Sequence, residues 1–232
     1  MEITKEIGRV AGHLVDRGWV EASAGNLSYL MDESEYVECK STWYNMDFEL
    51  EYLKGKQILV TGSGTRMREI QYNPDDNMVI VFISADGKRY AYQPLTGINK
   101  LMRPTSELFM HLSVHDRLIK EDSIDRVVLH AHITDFIVLS HREPELNSEL
   151  LTQKLRNIHP EMDILIPEGA GVVTFLSSGS LDLARQAADV LSKYPAALMM
   201  KHGGIATGPD FDIAMDRLEL INKLVSIFLR LR

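Results

Sequence analysis

Val127-Val128-Leu129-His130-Ala131-His132 is the stretch that most limits what this chain can become. It is β-branched and apolar apart from its two histidines, which reads as a strand buried in a sheet. Residues two apart on a strand face the same way, so His130 and His132 project together and can close on one metal ion. A third histidine, His202, lies in Leu198-Met199-Met200-Lys201-His202-Gly203-Gly204, read as another strand running into glycines. Three imidazoles with a fourth position open describe a catalytic rather than a structural site. Imidazole-only ligation favours zinc, and manganese, iron and cobalt accept the same donors. The competing reading is that these are core histidines satisfied by hydrogen bonds.

Around this strand, hydrophobic spacing predicts an ordered alternation of elements. Ile3, Ile7, Val10, Ala11, Leu14 and Val15 mark an amphipathic helix ending near Gly18. Strands are expected at 27–30, 57–60, 78–83 and 89–92, the last two joined by the turn Ala85-Asp86-Gly87. Pro104-Thr105-Ser106 opens a helix from about Glu107 to Ile119. After the His130 strand come a short helix to about Ser140, a helix capped at Asn147-Ser148 and reaching Ile158, and a strand at Ile164-Leu165-Ile166. Helices over 181–193 and 212–231 close the chain, and residues 32–55 are acidic and irregular. Without a linker or internal repeat, this pattern gives an α/β fold: a single three-layer domain over residues 1–232. Consecutive strands without intervening helices over 58–92 make the central sheet mainly antiparallel or mixed.

Charge and cysteine content bound the function. The 232 residues carry a net charge of -8 and no arginine-rich run, which disfavours nucleic acid as a partner. Acidity does not exclude an anionic substrate, because backbone amides and a metal hold phosphate locally. Cys39 is the sole cysteine, so no intramolecular disulfide is available, and a reducing cytoplasm is expected. Met1–Glu6 has no signal-peptide core, and no apolar run spans a bilayer, so no membrane partner is expected.

Other residues attract attention beside the histidines. Glu107 at a helix start is either a carboxylate set against the helix dipole or a general base beside the metal. Thr61-Gly62-Ser63-Gly64-Thr65 ends a strand with flexible amides and hydroxyls suited to phosphate, though it lacks the lysine of a P-loop. Gly25-Asn26 and Thr105-Ser106 are similar small polar loops, and spacing alone does not show whether the three converge. His111 and His115 share a helix face. No glutamate follows His111 in the manner of a zinc protease, so they read as exposed or partly packed helix histidines. Glu161, just before the expected strand at 164–166, reads by itself as a loop charge.

Taken together and in this order, Gly25-Asn26-Leu27-Ser28, Thr61-Gly62-Ser63-Gly64, Pro104-Thr105-Ser106-Glu107-Leu108, His130-Ala131-His132 and Lys201-His202-Gly203 resemble the class II aldolase/adducin family. Leu59-Val60-Thr61-Gly62-Ser63-Gly64, Pro104-Thr105-Ser106-Glu107-Leu108 and Pro167-Glu168-Gly169-Ala170-Gly171 make the likeness greatest to the branch that cleaves rhamnulose 1-phosphate. The resemblance implies a class II aldolase-like fold and a lyase with one Zn2+ per subunit. Such an enzyme cleaves a ketose 1-phosphate to dihydroxyacetone phosphate and an aldehyde, here L-lactaldehyde, through a metal-stabilised enediolate. It implies His130, His132 and His202 as metal ligands and Glu107 as the proton-transferring acid. Asn26, Ser63, Gly64, Thr105 and Ser106 would lie near the substrate phosphate or its adjacent hydroxyls, and Glu161 would serve the aldehyde-side oxygen. Family members are commonly homotetramers with sites close to subunit contacts, which implies self-association here. The alternatives within the family are a sugar-phosphate 4-epimerase, where aspartate tends to replace Glu107, another class II aldolase of the fuculose-phosphate type, and a metal-free adducin-like binding module. The sequence departs from the branch at Ser23, where an asparagine is usual, and in ending directly after its last helix.

Overall fold

The computed structural model describes residues 2–231. In chain order its elements are α1 (Glu2–Asp16), β1 (Asn26–Leu30), β2 (Tyr44–Asn45), β3 (Gln57–Thr61), α2 (Met67–Ile70), β4 (Met78–Ile83), β5 (Arg89–Pro94), α3 (Leu108–Lys120) and β6 (Val127–Ala131). There follow α4 (Thr134–Arg142), α5 (Ser148–Arg156), α6 (Glu161–Leu165), β7 (Gly171–Val173), α7 (Leu181–Leu191), β8 (Ala196–Met199), β9 (Gly203–Gly208) and α8 (Phe211–Arg230). The strands form one nine-stranded sheet in the order β2-β5-β4-β3-β1-β6-β9-β8-β7. Every adjacent pair is antiparallel except β7 and β8, so the expected mixed, mainly antiparallel sheet flanked by helices is borne out.

The period-two alternation of side chains divides the core. Leu27, Leu59, Leu129, Ala131 and Ala206 join one cluster with Ile7, Val10 and Leu14 of α1 and with Leu218, Ile221 and Leu224 of α8. Val128, Ala197 and Ile205 face the other way, onto Met110 and Val114 of α3 and Leu183, Ala184 and Ala187 of α7. Toward the far edge, Ile58, Val60, Val79 and Val81 pack on Leu108 and Leu112 with Leu50 and Leu53. Each fully buried aliphatic side chain contributes about 1.5–3 kcal/mol to holding helix against sheet. Leu50 and Leu53 anchor the 32–55 segment, whose regular structure is a 3-10 turn at Glu33–Glu35 and the short β2.

The strand expected at 164–166 is a helical turn instead. Pro160, with φ -66°, starts α6, and Met162 and Ile166, four residues apart, are the buried positions while Ile164 and Leu165 point outward. A short apolar run does not by itself separate strand from helix, and here the four-residue spacing decided. His202 also differs from expectation: it lies in the tight turn between β8 and β9 rather than on a strand. Asn147, Ser180 and Asp210 cap α5, α7 and α8, each side chain accepting from a backbone N–H three residues on.

Candidate metal centre and anion pocket

The three-layer arrangement brings the ends of β1, β6 and β9 to the N-terminus of α3. In the β1–β6 ladder Asn26 stands opposite His130 and Ser28 opposite Val128, so Asn26, Ser28 and His130 share the face covered by α3. His132 lies one residue past β6, its backbone N–H held by the Trp19 carbonyl at 2.8 Å. The β8–β9 turn must press against the end of β6 to deliver His202. Gly203 makes this possible: with φ +153°, a Cβ there would lie 2.2 Å from the Ala131 carbonyl oxygen. Lys201 takes a positive φ of 59° in the same turn, and its N–H is held by Ser140 Oγ at 2.9 Å.

The result is a triangle of imidazoles. Ring centroids are 5.3 Å apart for His130 and His132, 4.7 Å for His130 and His202, and 5.2 Å for His132 and His202. One nitrogen from each lies within 4.8 Å of the other two. His130 Nδ1 donates to the Gly204 carbonyl at 2.9 Å, which leaves Nε2 as a bare lone pair, buried and without a partner. His132 Nδ1 donates to Glu21 at 2.7 Å, freeing its Nε2 likewise. Metal-binding histidines are oriented in this way by a carbonyl or carboxylate behind the ring. Burial drives His130 down to about 4, with the neighbouring His202 and His132 acting in the same sense. Burial also lowers His202. Ligand nitrogens must be unprotonated, so the donor set fits a divalent cation.

Glu107 sits beside this triangle, its Oε2 3.4 Å from His130 Nε2 and its Oε1 3.6 Å from His202 Nε2. It is the residue before α3, and its carbonyl accepts from the N–H groups of Met110 and His111. The side chain is 4% exposed, so it is no solvent-facing helix cap. Asn26 Nδ2 donates to Oε2 at 2.9 Å and Ser178 Oγ to Oε1 at 2.8 Å. Burial pushes this carboxyl up, but the charges of His130 and His202 and the donors on Asn26 and Ser178 outweigh it and hold Glu107 low. Near neutral pH His130 is unprotonated, which leaves the Asn26 and Ser178 donors as the groups that keep the carboxylate ionised.

A cavity of about 560 Å³ opens over these residues, lined among others by Gly25, Ser63, Gly64, Ser106, His132 and His202. The three small polar loops therefore converge. A bridge between Gly62 and Pro104, with Ser63 N–H on the Arg103 carbonyl and Thr105 N–H on the Thr61 carbonyl, joins two of them. Gly25 is required: at φ +78°, a Cβ would meet Val20 at 2.6 Å. No intramolecular hydrogen bond engages the backbone N–H of Gly64 or Ser106 among the described residues. No lysine or arginine lines the cavity, so an anion there would meet neutral donors.

Both ends of the Asn26 amide are engaged, Nδ2 by Glu107 and Oδ1 by His111 at 2.5 Å. Glu161 opens α6 and is not among the residues lining the cavity. His111 and His115, expected to be exposed or partly packed, are completely buried beneath β1. Glu21 and Ser178 were not singled out from the sequence. Ser178 lies in Ser177-Ser178-Gly179-Ser180, the same small polar composition that marked the other loops, whereas nothing local marks Glu21 as the partner of a histidine 111 residues away.

The family description "Class II Aldolase and Adducin N-terminal domain" matches residues 5–229. The chain belongs to this family. It is 30% identical over 232 residues to a rhamnulose-1-phosphate aldolase of Listeria innocua, covering 98% of this chain and 84% of that protein. A rhamnulose-1-phosphate aldolase of Bacteroides thetaiotaomicron is also 30% identical, with 98% and 85% covered. Among solved structures, a sugar-phosphate aldolase from Thermotoga maritima superposes with a TM-score of 0.83 at 34% identity, over 99% of this chain and 94% of that one. The protein is accordingly an enzyme of the metal-dependent aldehyde-lyase class.

Proposed function

We propose that this aldolase cleaves a ketose 1-phosphate, with L-rhamnulose 1-phosphate as the first choice, to dihydroxyacetone phosphate and L-lactaldehyde. The observation that carries the reading is the buried, partnerless Nε2 of His130 facing two further imidazoles with the Glu107 carboxylate alongside. His130, His132 and His202 would hold one Zn2+, which supplies Lewis-acid polarisation of the substrate carbonyl. Cleavage of the bond between C3 and C4 leaves the electron pair at C3, beside that carbonyl, while the C4 hydroxyl passes its proton, through Glu161 of another copy, to water and becomes the aldehyde. Glu107 takes up a proton from water and delivers it to C3 to complete dihydroxyacetone phosphate, and removes it in the direction of synthesis. Its two donors, Asn26 and Ser178, fix where that proton is exchanged.

The phosphate is placed against the joined loops, where Gly64 and Ser106 offer N–H groups and Ser63, Thr105 and Ser106 offer hydroxyls. Anchoring there orients the reacting bond over the metal and lowers the entropic cost of reaching the transition state. Glu161 lies outside the cavity of its own chain. For it to act at the aldehyde-side oxygen it must come from another copy, so the reading includes a homotetramer as the working state. It also includes one catalytic domain over residues 1–232, acting in the cytoplasm. Among the described residues no helix is long and apolar enough to cross a membrane.

The deciding experiment is a panel of ketose 1-phosphates supplied to zinc-loaded protein, with dihydroxyacetone phosphate as the readout. Cleavage of rhamnulose 1-phosphate is expected, and absence of product from every sugar would remove the reading. Glu107→Gln should keep stoichiometric metal and lose turnover; full activity in that variant would overturn the proton-transfer role.

A further inference from the structure

Behind Glu107 runs a sealed file of polar groups that the reaction as described does not use. His115 Nε2 lies 2.8 Å from Ser28 Oγ, Ser28 Oγ lies 2.7 Å from His111 Nδ1, and His111 Nε2 lies 2.5 Å from Asn26 Oδ1. Asn26 Nδ2 then donates to Glu107 Oε2. His111, His115 and Ser28 are all 0% exposed. Ser28 comes from β1 and the two histidines from adjacent turns of α3, so the file lies in the helix–sheet interface.

Donor and acceptor chemistry gives the file one direction. An ionised carboxylate only accepts, so Asn26 must present its NH2 to Glu107 and its carbonyl to His111. His111 Nε2 must therefore carry hydrogen, and in the neutral ring Nδ1 is bare. Ser28 must spend its single proton on that Nδ1, so it accepts from His115 Nε2–H. His115 Nδ1 is then a bare acceptor at the end of the file, and it is the ring nitrogen left without a partner. Each proton points toward the carboxylate, and no link has a second choice while Glu107 is charged.

We propose that Ser28, His111 and His115 are positioning residues for the general acid–base Glu107, acting through Asn26 as a one-way hydrogen-bonded file. The proposal rests on Glu107 being the proton-transferring group. Its physical content is that Asn26 cannot flip its amide, because a flip would set its NH2 against the N–H of His111 and its carbonyl against a carboxylate. The carboxylate thus keeps one oxygen fixed from behind while Ser178 holds the other.

The first test uses unmodified protein labelled with 15N in its histidines. Long-range 1H–15N spectra should show His111 and His115 as neutral rings with hydrogen on Nε2 and bare Nδ1, assigned through contacts to neighbouring methyl groups. Hydrogen on Nδ1 of His111 would overturn the file whether or not the protein cleaves any sugar phosphate. The second test is kinetic. Ser28→Ala should lower kcat about tenfold, as loss of an outer partner does, with KM and bound zinc unchanged, and Ser28→Thr should restore kcat. An unchanged kcat in Ser28→Ala, or a loss carried in KM or metal content, would reduce these residues to packing. Failure of the wild-type enzyme to cleave any ketose 1-phosphate, with the tautomers as stated, would instead strike the proposed reaction and leave the file's geometry standing.

Discussion

Two pairs of histidines in this molecule share a face by their spacing and meet opposite fates. His130 and His132 sit at the end of a strand, and His111 and His115 one turn apart on α3. Burial lowers three of them: His130 to about 4, and His111 and His115 to about 3. The difference lies in what each free nitrogen faces. The strand pair backs onto a carbonyl and a carboxylate; His132 lines the open cavity with His202, and the buried Nε2 of His130 faces the Glu107 carboxylate at the edge of that cavity. The helix pair turns its nitrogens into a closed interface, where a serine and an asparagine meet them. A histidine pair thus offers donors to a metal or serves as an internal scaffold according to what its free nitrogens meet.

The sharpest way to break the comparison is to remove one member of each pair. His132→Ala should abolish stoichiometric metal and cut kcat by about 10³-fold or more, since Lewis-acid stabilisation is worth several kcal/mol. The melting temperature of the metal-free protein should barely move, because His132 is partly exposed. His115→Leu should do the reverse. It should leave metal content intact and cost about 2–3 kcal/mol by denaturant unfolding, since Ser28 loses its buried donor and packing changes. Equal effects of the two substitutions on metal content would erase the distinction drawn here.

Acidification sharpens the same contrast. His111 and His115 have folded pKa values below the ordinary 6.5. Between about 6.5 and 3 the unfolded chain therefore binds protons that the folded chain refuses, and stability falls as pH falls. Each of the two contributes a slope of about 1.4 kcal/mol per pH unit across that window and nothing above it. Unfolding of metal-free protein from pH 7.5 to 5 should show this slope together with that of His130, and His115→Leu should lower it by about 1.4 kcal/mol per pH unit below pH 6.5. A smaller effect is expected at the exposed support of the strand pair. Glu21→Gln should weaken metal affinity about tenfold, the low end for an outer-shell partner, as read by competition with a chromophoric chelator.

How much of this was legible in the sequence differs between the pairs for a physical reason. The strand signal at 127–131 and the two-residue spacing are local, so the shared projection of His130 and His132 could be stated at once. That His202 joins them is read from a third histidine beside glycines, and that the loops at 25–26, 62–64 and 105–106 meet in one cavity is what the family resemblance implies. Convergence depends on strand order, and in the sheet β1 lies between β3 and β6, with β9 on the far side of β6. The partners of the helix pair were invisible, because Ser28 and Asn26 are more than eighty residues away. The strand expected at 164–166 failed for the converse reason. Its local composition was ambiguous, and the packing of Met162 and Ile166 settled it.

By itself the sequence determined most of the helices and strands, the side-chain face of each strand position, and the donor chemistry of three imidazoles and a carboxylate. Those properties depend on backbone periodicity and on covalent structure, which a chain carries wherever it goes. Tertiary structure alone decided which histidines look into the cavity and which way hydrogen bonds run behind Glu107. It also set which oxygen of that carboxylate Ser178 reaches. These depend on distances between residues far apart in the chain, fixed when the two faces of one sheet are covered by different helices.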